Sequence, residues 1–148
     1  MLVAGIALPA AAAFVAFAQA DPVTHVALTT ISGQGSGTIA FSPTAKNEGT
    51  NQFDVQVTIN IHGAAPNTDF TVSRNPDFIA NGICTNPIFV PLSPVFTTSA
   101  GGAGAAHYEV QRGPPTLFVE GATFDVSFRV VGTDGTVLTS DCFTVTVK

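Results

Sequence analysis

Alternating apolar and polar residues dominate this chain and predict an extended, sheet-forming structure. The clearest example is Phe53–His62, where every second residue is apolar and the residues between are polar, which is the period of a half-buried strand. Its apolar face consists of Phe53, Val55, Val57, Ile59 and Ile61. A sheet that buries one face needs a second apolar layer over it, so this stretch alone favours a sandwich or a barrel.

The same alternation recurs along the chain between clusters of turn residues. It is found in Val23–Ile31, Ala106–Arg112, Thr123–Val131 and Cys142–Val147. Between the last two, Gly132-Thr133-Asp134-Gly135 predicts a hairpin, with Asp-Gly supplying the positive φ angles of a primed turn. No helical period follows Ala20. We therefore predict an all-β fold, a Greek-key, immunoglobulin-like β-sandwich of roughly seven to nine antiparallel strands.

The N-terminus differs in composition from the rest of the chain. Residues 1–20 carry no charge and end in Ala18-Gln19-Ala20, a small-x-small sequence of the kind that signal peptidase accepts. We predict a signal peptide over residues 1–20 and a single β-sandwich domain over residues 21–148. The segment lacks the basic residue that usually opens a signal peptide, so two alternatives stay open: a start upstream of Met1, and an uncleaved segment that anchors the chain in a membrane.

The net charge limits the classes of partner that the sequence favours. The formal net charge is −5, and the five basic residues are scattered, which disfavours nucleic acid and anionic membrane surfaces as partners.

Cys84 and Cys142 form an even set in a chain that we expect to be exported, so we predict a disulfide between them. The alternative, a pair of metal ligands or redox thiols, lacks the C-x-x-C spacing.

The least regular stretch is Asn75–Pro94, which places apolar residues among four prolines and includes Cys84. We expect its apolar side chains to pack over an end or edge of the sandwich while Cys84 ties the loop to the last strand. The alternative is an exposed contact surface, because loops on a rigid scaffold often carry binding residues. The candidate interaction residues are Phe78, Ile79, Ile83, Ile88, Phe89 and Leu92.

Residues that could carry chemistry are few and separated in the sequence. The histidines are His25, His62 and His107, and the carboxylates considered for a catalytic pair are Asp77, Glu109, Glu120 and Asp125. The histidines could meet in space as a surface metal site, and two carboxylates could pair for glycoside hydrolysis, but the sequence does not place any of them together. The glycine cluster Gly33–Gly37 lacks the spacing of a phosphate-binding loop. We expect no enzyme activity, no metal and no cofactor.

Several stretches resemble known sandwich proteins. They are Gly63–Val72, Cys84, Thr97–Gly104 and Phe128–Leu138. Together they look like a group of small secreted bacterial immunoglobulin-like β-sandwich proteins whose function is not settled. The strand rhythm is also similar to the copper/zinc superoxide dismutase-like and chordin-repeat sandwiches. Those enzymes bind copper and zinc through several histidines, including an H-x-H pair, and this sequence contains no such pair.

These observations predict a secreted or cell-surface binding or structural module that is monomeric. Its partner would be a protein, a glycan or a small apolar ligand. Two alternatives stay open. The first is a small-ligand carrier that resembles the actinobacterial chromoprotein apoproteins, which would require a cleft lined by phenylalanine. The second is a metal-dependent, superoxide dismutase-like enzyme.

Overall fold

A computed structural model describes residues 23–43, 53–112 and 121–147 of the chain. The predicted signal peptide, residues 1–20, lies outside these ranges. Within them no helix is long and apolar enough to cross a membrane. The described strands are β1 (Thr24–Ser32), β2 (Ser36–Pro43), β3 (Phe53–His62), β4 (Asp69–Asp77), β5 (Val90–Pro91), β6 (Phe96–Thr97), β7 (Gly104–Arg112), β8 (Thr123–Gly132), β9 (Val137–Ser140) and β10 (Phe143–Thr146).

The strands pair only in antiparallel fashion and form one curled sheet, a half-barrel. Its order is β5-β4-β8-β9-β1-β2-β3-β7, with β10 also paired to β8 and β6 also paired to β4. The all-β, antiparallel prediction is therefore confirmed. The ten described strands exceed the predicted seven to nine, because β5 and β6 each span two residues and are too short to show an alternating pattern.

Curling brings the inner face of β8 against that of β2. The ring of Phe128 lies 6.2 Å from that of Phe41 and 6.3 Å from that of Phe143, measured between centroids. The inner face of β3 joins them, with Val57 and Ile59 almost completely buried. The β-branched and aromatic residues of the alternating stretches thus fill one core, as the sequence pattern predicts.

Strand β4 runs further than the sequence pattern indicates. It continues through Pro76 to Asp77, although this part belongs to the stretch that we expected to be irregular. A proline lacks the N–H that a strand donates to one of its neighbours. Pro76 is accommodated because the short strand β5 pairs only with Ser73 and Arg74, leaving that side of Pro76 without a strand partner in the described sheet. The extension matters because it places Asp77 opposite Asp125 of β8.

The hairpin between β8 and β9 forms where predicted, but its turn is not primed. Gly135 alone in the turn has a positive φ, of 87°. Its N–H donates to the carbonyl of Gly132, and the N–H of Gly132 donates to the carbonyl of Thr136. Asp134 stays outside the left-handed region because its carboxylate accepts hydrogen bonds from the N–H and hydroxyl of Thr136. The turn is of the type I kind followed by a left-handed glycine.

The half-barrel has two edges, β5 and β7, which approach each other but do not pair. Near this seam the hydroxyl of Tyr108 on β7 donates to the carbonyl of Pro94, at 3.0 Å. The short strand β6 packs beside β7 farther along, with Phe96 stacked on Phe70 at 5.7 Å. The seam is therefore held at one end by packing and by one hydrogen bond, and a cleft remains between β5 and β7.

We expect Phe128→Ala to lower the free energy of unfolding by about 3 to 5 kcal/mol, because it leaves a cavity between the two halves of the curled sheet. Urea denaturation followed by far-ultraviolet circular dichroism measures this change. The matched control is Val131→Ala on the same strand. Val131 is 37 % exposed, so its truncation should change the free energy of unfolding by about 0.5 kcal/mol or less. Equal effects of the two substitutions would contradict this view of the core.

Candidate functional site

The apolar loop, defined here as Phe78–Phe89, leaves the end of β4 and returns to β5. It has no regular secondary structure, yet it lies over the end of β4 and the first part of β8 on their outer face, where Asp77 and Asp125 are buried. This explains an unexpected feature of β8. The alternating pattern predicts that Asp125 and Ser127 face outward, and both are nevertheless buried, because the loop lies over them.

Asp125 is the main anchor of the apolar loop and is fully buried. One carboxylate oxygen accepts the hydroxyl of Thr144 at 2.5 Å, and the other accepts the backbone N–H groups of Asn81 and Gly82 at 2.8 and 2.6 Å. The Thr144 hydroxyl first, and then these loop amides, hold the pKa of Asp125 below its ordinary value, against the opposing effect of burial. The carboxylate is therefore the charged acceptor that fixes the middle of the loop.

Asp77 is the second anchor and lies directly opposite Asp125 in the sheet. Its Oδ1 accepts the N–H of Ile79 at 3.1 Å. Its Oδ2 accepts the N–H and hydroxyl of Thr85 at 2.8 and 2.9 Å, and the N–H of Asn86 at 3.2 Å. These bonds, that of Ile79 first, lower the pKa of Asp77. Two like charges that face each other destabilise a sheet, and the donors from the loop offset this repulsion.

A side-chain clamp and a disulfide complete the attachment. Asn86 donates from Nδ2 to the carbonyl of Pro76 at 2.8 Å and accepts, at its own carbonyl, a bond from Asn75 Nδ2 at 2.5 Å. Cys84 is bonded to Cys142, with Cα atoms 5.6 Å apart, which confirms the predicted disulfide. Cys142 lies between β9 and β10, so the loop is tied to the segment that links the last two strands.

Three consecutive Asx turns set the backbone of the apolar loop. In each, the side-chain oxygen of an Asp or Asn accepts the backbone N–H of an isoleucine two residues later. The pairs are Asp77 with Ile79 at 3.1 Å, Asn81 with Ile83 at 2.9 Å and Asn86 with Ile88 at 3.1 Å. The backbone of each isoleucine is therefore fixed in the same way, by a hydrogen bond from its N–H to the side chain two residues earlier.

The side chains of these isoleucines point to solvent. The exposed fractions are 66 % for Ile79, 61 % for Ile83, 64 % for Ile88 and 47 % for Phe78. The expectation that the apolar residues of this stretch pack over the sandwich is therefore wrong for the three isoleucines. The reason is that polar atoms and the disulfide attach the loop, which leaves its apolar groups outside.

The remaining predicted loop residues lie closer to the sheet. The guanidinium carbon of Arg129 lies 3.9 Å from the centroid of the Phe89 ring, a cation–π contact. Leu92, beyond the loop, is partly buried against the core. Phe78 is both exposed and in contact with a core ring, since its centroid lies 6.4 Å from that of Phe124. The exposed apolar surface is thus formed by Phe78, Ile79, Ile83 and Ile88.

The other candidate residues are not brought together. His62 is hydrogen-bonded to Ser36 and His107 to Thr58, each at 2.9 Å, and His25 lies exposed on β1. Within the described ranges no three of His, Cys, Asp or Glu are grouped as metal ligands would be. Glu120 lies outside those ranges. The one pair of candidate carboxylates that does meet, Asp77 and Asp125, accepts hydrogen bonds at all four oxygens, which is the arrangement of an anchor.

Comparison with known protein families, curated proteins and solved structures finds no match to this chain. The resemblances to secreted sandwich proteins therefore stay predictions. A functional assignment therefore rests on the geometry of the apolar loop.

We expect protonation of the two anchors to weaken the structure. Their pKa values are lowered from 3.8 in the folded protein, so they bind protons less readily there than in the unfolded chain. Their contribution to the free energy of unfolding is fully present above pH 3.8 and is lost as the pH falls below it. The urea midpoint of the wild type should therefore fall as the pH is lowered below 3.8.

Asp125→Asn tests this assignment, because an amide retains the shape and loses the charge. Its urea midpoint should be lower than that of the wild type at pH 7, and the two should converge in acid. Asp141→Asn, which removes an exposed carboxylate, is the matched control and should follow the wild-type pH profile. A variant Asp125→Asn with the wild-type midpoint at pH 7 would contradict the anchoring role.

Removal of the disulfide should loosen the apolar loop more than the sheet. The two cysteines are 58 residues apart, so on the chain-entropy model the double variant Cys84→Ala/Cys142→Ala loses about 4 kcal/mol of stability. Hydrogen exchange should increase first in residues 79–88. Treatment of the wild type with a reducing agent should reproduce the same exchange pattern. Uniform acceleration across all strands would contradict a local role for this bond.

Proposed function

We propose that this protein is a binding module, exported to an oxidising compartment, that presents the apolar loop to a partner protein. The observation that carries the proposal is the row of three isoleucines, Ile79, Ile83 and Ile88, each exposed by more than half and each fixed through an Asx turn. Rigid loops with exposed apolar side chains are typical of interaction surfaces.

The attachment of the loop explains how such a surface would bind tightly. Ordering a flexible loop on binding costs free energy, roughly 0.5 to 1.5 kcal/mol for each side chain that is immobilised, in addition to the backbone cost. Here Asp77, Asp125 and the disulfide hold the backbone before any partner arrives. A β-branched isoleucine also has few rotamers to lose. The energy of burying the apolar side chains would therefore go mainly into affinity.

The chemistry of the loop favours an apolar protein surface over the other partners. Residues 75–111 contain no Lys, no Arg and no Trp, whereas surfaces that bind lipid interfaces are usually rich in these residues. A glycan offers hydroxyl groups, which isoleucine side chains cannot hydrogen-bond. A small apolar ligand would need a concave site, and the loop is convex in the sense that its apolar groups point outward. We therefore assign the partner as a protein with an apolar groove.

The proposal also includes export of the protein and a more specific assignment of its fold. A disulfide persists mainly in oxidising compartments, and Cys84–Cys142 is such a bond, which supports export. For the fold we propose the immunoglobulin-like Greek-key sandwich. The contact of Phe41 with Phe128 across the curled sheet supports it, because the inner faces of two sheets meet in this way in sandwiches.

Site-specific crosslinking tests the proposed function. A photoreactive amino acid at position 83 of the full chain, in the culture fluid of its own host, should capture one partner. The captured protein is then purified and titrated against the wild type by calorimetry. Ile83→Ser and Ile88→Ser should each weaken binding by roughly tenfold, as expected for an apolar contact worth about 1.4 kcal/mol.

The chain offers a matched control in Ile31, which lies on β1 and is 64 % exposed, the same fraction as Ile88. Ile31→Ser should leave the affinity within twofold of the wild type. Equal weakening by Ile31→Ser and Ile88→Ser would refute the proposal, as would the absence of a specific adduct at position 83. Sedimentation equilibrium identifies the case in which the captured partner is a second copy of this chain, which would overturn the assignment to a different protein.

A further inference from the structure

The seam between the two edges of the half-barrel contains a second feature, independent of the apolar loop. An open cleft of about 230 Å³ lies between Val90 and Pro91 of β5 and Tyr108 and Gln111 of β7. It is also lined by Arg74 of the neighbouring strand β4. No apolar-loop isoleucine lines this cleft.

Arg74 lies on the face of its strand whose other side chains pack in the core. On β4 it follows Phe70 and Val72 on the inner face, and it is paired in register with Phe128 of β8. Its side chain is 9 % exposed, and its buried Nε–H has no hydrogen-bond partner among the described residues. An arginine that is nine-tenths buried without a carboxylate destabilises a fold, because the lost hydration is not replaced.

Residues that lower the stability of a fold and make no compensating contact are concentrated at functional sites. A ligand that supplied the missing acceptor would remove this cost when bound. The guanidinium is a planar fork of donors that matches the two oxygens of a carboxylate. We propose that the cleft binds a carboxylate, which accepts N–H groups of the Arg74 guanidinium.

The lining of the cleft favours a singly charged carboxylate over sulfate or phosphate. One guanidinium balances one negative charge, and the nearby side chains of Leu92 and Val110 suit the carbon body of an organic acid. Glu109 also lines the cleft and is exposed. Its charge opposes an entering anion, and opposes a doubly charged one more strongly. A free small carboxylate and the terminal carboxylate of a peptide share this chemistry.

Nuclear magnetic resonance reports directly on the group in question, because the Nε–H resonances of the three arginines of the chain are observable separately. The labelled full chain is titrated at constant ionic strength with four probes. They are sodium propionate, a capped trialanine with a free carboxylate, the same peptide as its amide, and sodium sulfate. The two carboxylates should shift the Arg74 Nε–H saturably and leave that of Arg129 in place, and the amide should have no effect.

The affinities identify the source of the carboxylate. A peptide that binds at least tenfold more tightly than propionate would assign a peptide terminus, and equal affinities would assign a free small acid. Arg74→Met should abolish the binding and raise the denaturation midpoint, since it removes a buried Nε–H that has no acceptor. Arg129→Lys is the matched control and should keep the dissociation constant within twofold. Glu109→Gln should tighten binding by threefold or more.

Three results would overturn the proposal. The first is no saturable shift at Arg74 with either carboxylate. The second is an equal response at Arg74 and Arg129, which would indicate only a change in bulk ions. The third is a shift of the Arg74 resonance by Glu109→Gln without ligand and no response to carboxylates, which would show an internal ion pair. None of these results depends on the partner of the apolar loop, so the two proposals fail separately.

Discussion

The buried carboxylate of Asp125 is the interaction on which the exposed surface of the apolar loop depends. A buried charge is tolerated only when polar groups replace its water, and here the backbone of the apolar loop supplies those groups at Asn81 and Gly82. The dependence is mutual. The loop has no strand or helix of its own to order its amides, and among the described residues the partners of the carboxylate are backbone N–H groups and a hydroxyl. Removing the carboxylate leaves the loop amides without an acceptor, and removing the loop leaves the carboxylate without these donors.

This arrangement separates the residues that hold the fold from those of the proposed binding surface. The phenylalanine core between β2 and β8 holds the sheet, and none of its residues is needed in the exposed loop surface. Conversely, Ile79, Ile83 and Ile88 contribute little to the core, so they are available to change without loss of the fold. The hydrogen bonds that hold the loop use backbone N–H groups, which every residue except proline carries. A surface built in this way can vary its side chains while keeping its shape.

Much of the fold could be predicted from the period-2 pattern, and the bounds of β3 agree residue for residue. The pattern could not predict that Asp125 and Ser127 on the outer face of β8 are buried, because both have the polar character of solvent-facing positions. It also could not pair Asp77 with Asp125, since register depends on contacts distant in sequence. One local signal was present: an Asp or Asn stands two residues before each exposed isoleucine of the apolar loop. Arg74 follows Phe70 and Val72 at alternate positions, but only the three-dimensional structure shows that its Nε–H lacks a partner.

The position of Cys142 has a mechanical consequence. The disulfide joins the apolar loop to the chain immediately before β10, which is the last described strand and pairs with β8 alone. Tension applied between a protein held at the loop and the chain that follows β10 would pass along four strand residues and one covalent bond. In the phenylalanine core, Phe143 lies on this path, whereas Phe41 and Phe128 lie outside it. The curled sheet would therefore bear little of the load, and the resistance of the attachment would be set by the short β8–β10 ladder and by the bond itself.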